Sequence, residues 1–194
     1  STNPILAALI DNQIDIIFEH WTDNNVQLID PELESGNLVF LGVNTPASEQ
    51  AFFVDRATSE KYNITSVEDL AKPEIAMLFK DPENPEKGRL TSCISGWTCY
   101  TINLVKLKEY GLDDLYTNFD PGSGGALDAA IMAASTKNQP IVTYYWTPTS
   151  LMGKPEVDLV RLTEPAYEES CWSDMMTVVE DIKANGPEVY KPVS

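Results

Sequence analysis

The chain has 194 residues, with 13 basic against 30 acidic and a net charge of −17, which is room for one or two domains. That sign excludes a phosphate-backbone binder, which needs a basic face, and a protein that docks on anionic lipid. Apolar residues make up 43%, enough for a core, while no apolar run approaches the ~20 residues that span a bilayer and no basic-then-apolar export signal opens the chain.

Residues 4–11 place Ile5, Leu6, Leu9 and Ile10 at helical spacing, with Ser1, Thr2 or Asn3 as the cap and Pro4 in the first turn. Residues 15–21 are rich in β formers and read as a strand ending in Trp21, followed by the polar turn Thr22-Asp23-Asn24-Asn25. Strands are also predicted at 37–43 and 51–54, with a candidate hinge at 42–50 between them. Thr65 and Glu68 have capping-box spacing for a helix over 65–70, and Pro73 opens a second short helix that runs to 80. Residues 81–89 and 93–99 read as loops. Residues 100–110 read as a helix that Gly111 stops, 117–125 as a Gly-rich loop, and 126–135 as an Ala-rich helix. Strands follow at 140–146 and 157–162, and 175–183 fits either a strand or a helix. Strands alternating with helices predict an α/β fold with a largely parallel sheet.

Three tryptophans share a setting. Trp21 and Trp146 end predicted strands, and Trp97 lies in the loop Ser95-Gly96-Trp97-Thr98-Cys99. Ligands sit off the carboxyl ends of strands in open α/β sheets, so these indoles are candidates for one cleft, with core packing as the alternative for each. Several indoles around one volume attract a cation that donates no hydrogen bond, at ~0.5–2 kcal/mol per desolvated face. The same loop runs into a helix, whose first N–H groups accept an anion; an ordinary cap is the alternative. A zwitterion with its charges a few ångströms apart fits both offers. Gly122-Ser123-Gly124-Gly125 is a second candidate terminus, better read as a connector, since no Walker lysine follows.

Cys93 and Cys99 read as a local pair, either a disulfide in an oxidising compartment or two reduced thiols. His20 is the only histidine, and no Cys-x-x-Cys occurs, so no metal or other cofactor is expected. A nucleophile beside a base is not evident, and catalysis would need a reactive thiol at Cys171. The chain is not expected to be an enzyme.

Ile14 to Thr22, Cys93-Ile94-Ser95-Gly96-Trp97-Thr98-Cys99 and Tyr144-Tyr145-Trp146-Thr147-Pro148 resemble the glycine betaine/proline betaine substrate-binding proteins of ABC importers, as do stretches at 53–62 and 64–70. The resemblance implies a type II periplasmic-binding fold that closes on its ligand. It implies a cage with Trp21 from one lobe and Trp97 and Trp146 from the other. It also implies a Cys93–Cys99 disulfide and amides of Trp97, Thr98 or Cys99 receiving the carboxylate. The candidate ligand-contacting residues are therefore Trp21, Trp97, Trp146, Gly96, Thr98, Cys99, Asn25 and Tyr145. Asn25 stands near where some members carry a histidine. An ABC permease as partner and a periplasmic or extracytoplasmic location are further implications. By the same comparison the chain reads as a partial first lobe (1–43), a nearly complete second lobe (44–188) and a return segment (189–194). Exposed sheet edges in the partial lobe then invite cover by another subunit, and the rival reading is an oligomerising remnant without transport function.

Overall fold

The computed structural model describes residues 2–193. The chain forms α1 (Thr2–Ile10), α2 (Val26–Glu34), β1 (Glu49–Asp55), α3 (Arg56–Tyr62), α4 (Pro73–Ala76), β2 (Gly88–Thr91), α5 (Thr98–Glu109), β3 (Tyr116–Phe119), α6 (Gly124–Lys137), β4 (Val142–Thr147), β5 (Leu159–Arg161) and α7 (Glu169–Asn185). Ser1, a candidate cap of α1, lies outside the described residues.

The sheet has the order β3-β2-β4-β1-β5. β2 runs parallel to β3 and β4, and each of those successions carries a helical crossover, α5 or α6. β1 runs against both of its neighbours, pairing Ala51 with Tyr145 and Val54 with Val160. The sheet is therefore mixed rather than largely parallel. Alternation of element types predicts crossovers, but it says nothing about the β1–β4 pairing, which joins residues far apart in the chain.

β1 is the most deeply buried strand: Ala51, Phe52, Phe53 and Val54 are all at the centre of the main core. Burying a side chain such as Phe52 contributes ~1.5–3 kcal/mol. Leu127 and Ile131 of α6 pack into the same core with Ile64, Val67, Leu70 and Leu112. A smaller core joins α5 to α7 through Ile102, Val105, Met176, Val179 and Ile182.

Local signals explain most ends. Asp55 caps α3 by accepting from the Thr58 N–H at 2.9 Å. Gly111, at φ +64, lets the chain leave α5 with Leu112 N–H on Leu107 O and Gly111 N–H on Lys108 O. The predicted capping box is displaced by one residue: Ser66 and Asp69 form it, and it starts a 3-10 helix at Val67–Ala71. Residues 175–183 are helical, inside α7.

Four expectations are corrected. Residues 15–21 and 37–43 form no strand, because a strand needs a neighbour for its N–H and C=O groups and no described strand lies alongside them. Phe18, Val39 and Leu41 are 74%, 76% and 78% exposed as a result. Conversely, β2 begins within the stretch 81–89 read as a loop and runs on to Thr91, and most of β3 falls in the stretch 117–125 read as a loop, since each short strand is held by a parallel neighbour. Helix α2 forms despite Pro31 within it. Residues 2–48 thus make an arm of two helices and extended chain outside the sheet, and Asn44 Nδ2 ties its two extended stretches together by donating to Phe18 O at 3.0 Å.

Candidate functional site

A cavity of about 350 Å3 lies between the arm and the sheet domain, at the small end of the range for ligand sites. Its wall includes Trp21 and Asn25 from the arm, Trp97, Thr98 and Cys99 from the start of α5, and Trp146 from β4. The three indoles singled out from sequence therefore line one volume. Trp97 and Trp146 meet edge to face, with ring centroids 5.6 Å apart and planes at 75°, a favoured aromatic geometry.

Each indole is positioned by a different local device. Trp146 is the penultimate residue of β4, and the Tyr145 ring stacks on it at 4.5 Å. Tyr145 is 2% exposed and donates its hydroxyl to Asp128 Oδ1 at 2.7 Å. Burial first, and then that carboxylate, push its pKa up to about 12. Tyr145 thus backs Trp146 and borders a larger open cleft instead of the small cavity. Trp97 is the N-cap residue of α5, at φ −110 and ψ 146. A Cβ on Gly124 would sit 3.4 Å from its indole edge, so the glycine that opens α6 seats Trp97. Trp21 does not end a strand; it immediately precedes the 3-10 helix Thr22–Asn24, and its Nε1 donates to Glu19 Oε1 at 3.4 Å.

The loop carrying Trp97 is pinned at several points. Cys93 and Cys99 are disulfide-bonded. Asp120 accepts the Ser95 N–H at 3.1 Å and the Gly122 N–H at 2.7 Å. Burial raises the Asp120 pKa, but hydrogen bonds from Ser95 and Gly122 outweigh it and leave it below the usual value. The Trp97 N–H closes a turn on Ile94 O at 2.8 Å. The N–H groups of Thr98 and Cys99 follow in the first turn of α5, ahead of its intrahelical ladder. Gly96 sits in the loop before them, outside the cavity wall.

Asn25 is buried, accepts the Thr98 hydroxyl at 3.2 Å and donates to Trp21 O at 3.4 Å. It therefore links the arm to α5 as well as lining the cavity. Gln50 adds a second link, donating to Asn24 Oδ1 at 3.0 Å and accepting the Tyr144 hydroxyl at 2.9 Å. Glu19, His20 and Gln50 also line the cavity, and sequence reasoning did not single out Glu19 or Gln50. Burial lowers the His20 pKa, and His20 Nε2 is buried without a hydrogen-bond partner. No cluster of metal-ligating side chains occurs among the described residues.

A two-walled, aromatic-lined cavity beside a helix start, on a mixed α/β sheet, defines a small-solute binding domain. The chain belongs to the OpuAC family, the substrate-binding domain of ABC-type glycine betaine transport systems, which it matches over residues 1–193. That family is one of binding domains and not of enzymes. Among curated relatives, the glycine betaine-binding periplasmic protein OusX of Dickeya dadantii is 33% identical over 126 residues, 64% of this chain and 37% of that protein. The glycine betaine/proline betaine-binding periplasmic protein of Escherichia coli is 32% identical over 126 residues, 64% of this chain and 38% of that protein. The chain thus spans well under half the length of these relatives. Two solved structures share the fold. The glycine betaine, L-proline ABC transporter binding protein of Borrelia burgdorferi has a TM-score of 0.65 at 18% identity, covering 91% of this chain and 57% of that one. Lactococcal OpuAC, closed on glycine betaine, has a TM-score of 0.62 at 18% identity, covering 95% and 77%. No helix among the described residues is long and apolar enough to cross a membrane.

Proposed function

We propose that the chain captures a small quaternary-ammonium zwitterion of the glycine betaine type in the cavity between arm and sheet. The carrying observation is that Trp21, Trp97 and Trp146 line one cavity with the first turn of α5. The indole faces take the trimethylated nitrogen, which offers no N–H and is attracted by ring quadrupoles. The N–H groups of Thr98 and Cys99 take the carboxylate at the positive end of α5. With its own amide turned onto Ile94 O, Trp97 serves through its ring. Asn25 contributes its remaining amide N–H, and Tyr145 holds Trp146 from behind. Residues 44–188 act as one lobe, 1–43 as part of the other and 189–194 as a return toward it. Delivery is to an ABC permease outside the cytoplasm, in line with the periplasmic relatives.

Titration with glycine betaine, choline, carnitine and sodium chloride, followed by tryptophan emission, tests the proposal. Saturable quenching or shift with glycine betaine alone or best supports it; a response no different from sodium chloride at millimolar ligand rejects it.

A second reading draws on the exposed run Val39, Phe40, Leu41 and Val43, which is uncharged in a chain of net charge −17. Here the arm is covered by a second copy and the assembly has no transport role. Light scattering that finds a dimer indifferent to ligand favours it; a monomer excludes it.

A further inference from the structure

The fourth tryptophan belongs to none of the motifs above. Trp172 stands in the first turn of α7, half-buried, and its Nε1 donates to Asp23 O at 3.0 Å across 149 residues of chain. Asp23 lies in the one-turn helix Thr22–Asn24, directly after Trp21. A carbonyl near the end of so short a helix has few intrahelical donors to meet, and an indole N–H is a donor with no acceptor function. The Tyr167 ring, 6.1 Å from the Trp172 ring, supports the indole from the exposed side.

The rest of α7 points to why this contact matters. Its Met176, Val179 and Ile182 pack on Ile102 and Val105 of α5. Helix α5 begins at Thr98, the residue after Trp97. One rigid helix therefore rests its body on the element that carries Trp97 and closes its first turn on the element that carries Trp21. The arm has no sheet hydrogen bonds of its own among the described residues, so its placement depends on side-chain ties of this kind.

We propose that Trp172 is a positioning residue: its indole N–H clamps the 22–24 turn to α7 and thereby holds Trp21 opposite Trp97 in the ligand-free protein. Trp172 touches no ligand in this scheme. It raises the fraction of free molecules whose cage is already assembled, and apparent affinity scales with that fraction. The consequence for binding rests on the cage reading above; the clamp itself does not.

The test uses the full chain as wild type and as Trp172→Phe, which keeps a ring and loses the donor. Amide hydrogen exchange is measured on both without ligand, and glycine betaine binding is measured by stopped-flow tryptophan emission. The expected result is exchange about tenfold faster at 22–26 in the variant, with α5 and α7 unchanged. Affinity is expected to fall about three- to tenfold, through slower association with dissociation unaltered, since the lost population precedes binding. Equal exchange at 22–26 overturns the clamp, as does acceleration spread equally over α5 and α7, which would mark a loosened helix. Faster exchange at 22–26 with unchanged affinity and rates overturns the link to binding. Should wild type not bind glycine betaine, the proposed function fails, while the exchange comparison still decides the clamp.

Discussion

Replacing Trp97 with alanine probes the proposed cage at its most interpretable wall. The indole is half-buried, meets Trp146 edge to face at 5.6 Å and rests on Gly124, so its removal deletes one ring proposed to face the cation and one aromatic pair without opening the deep core. A desolvated indole face contributes ~0.5–2 kcal/mol to a cation, and loss of the pair leaves Trp146 freer to turn, adding ~0.5–1.5 kcal/mol. The sum, ~1–3.5 kcal/mol, corresponds to a loss of affinity of roughly 5- to 300-fold. Isothermal titration with glycine betaine measures it, and the thermal midpoint checks that the fold survives. Trp97→Phe, which keeps a smaller ring, should lose less. Affinity unchanged in Trp97→Ala, with the protein folded, would refute a cage containing this ring. An equal loss for alanine and phenylalanine would assign the effect to shape instead of the π face.

Reducing the Cys93–Cys99 bond opens a ring with sequence separation 6 and should cost roughly 2 kcal/mol of stability on the chain-entropy model, together with weaker ligand binding; denaturant melts with and without reductant measure both. His20 lines the cavity with its pKa below the usual 6.5 because burial disfavours its charged form. Its contribution to stability is therefore present above pH 6.5 and lost as the pH falls through the lowered value. An imidazolium in the wall also repels a cation, so choline affinity should fall over the same acid range more than glycine betaine affinity, and His20→Gln should flatten the profile. Gly88→Ala would place a Cβ 2.6 Å from Ala76 O and 2.8 Å from the Tyr116 ring; a loss of ~1–3 kcal/mol is expected in a urea melt, with ligand affinity retained by the folded fraction.

Elements whose signal is local were legible. Helix α5 announces itself by an apolar face and a terminal glycine, β1 by its buried run, and β4 by its aromatics. Elements that depend on a partner were not. The stretches at 15–21 and 37–43 have strand composition, yet composition supplies no neighbour, and they remain extended and unpaired. β2 and β3 carry Arg89, Thr117 and Asn118, which look like loop residues until a parallel ladder holds them. Asp55 as a cap and Asn63 as a left-handed stop were present in the sequence and would have found α3. Of the candidate site, the three indoles were picked out by residue type, although the strand that Trp21 was expected to end does not form, and Asn25 entered only through the family resemblance. The roles of Gln50, Gly124 and Trp172 arise only from contacts across the fold, to Asn24, Trp97 and Asp23.

Trp97, Thr98 and Cys99 are consecutive, so in the proposed function the ring offered to the cation and the amides offered to the anion share one stretch of backbone. Their spacing is set by peptide geometry and by the start of α5, and side-chain exchange elsewhere leaves it alone. On that proposal the loop would work as a fixed gauge of charge separation in a captured zwitterion. Selection for a longer or shorter zwitterion would then have to act by rebuilding the opposite walls, Trp21 and Trp146, or by inserting a residue into the gauge itself.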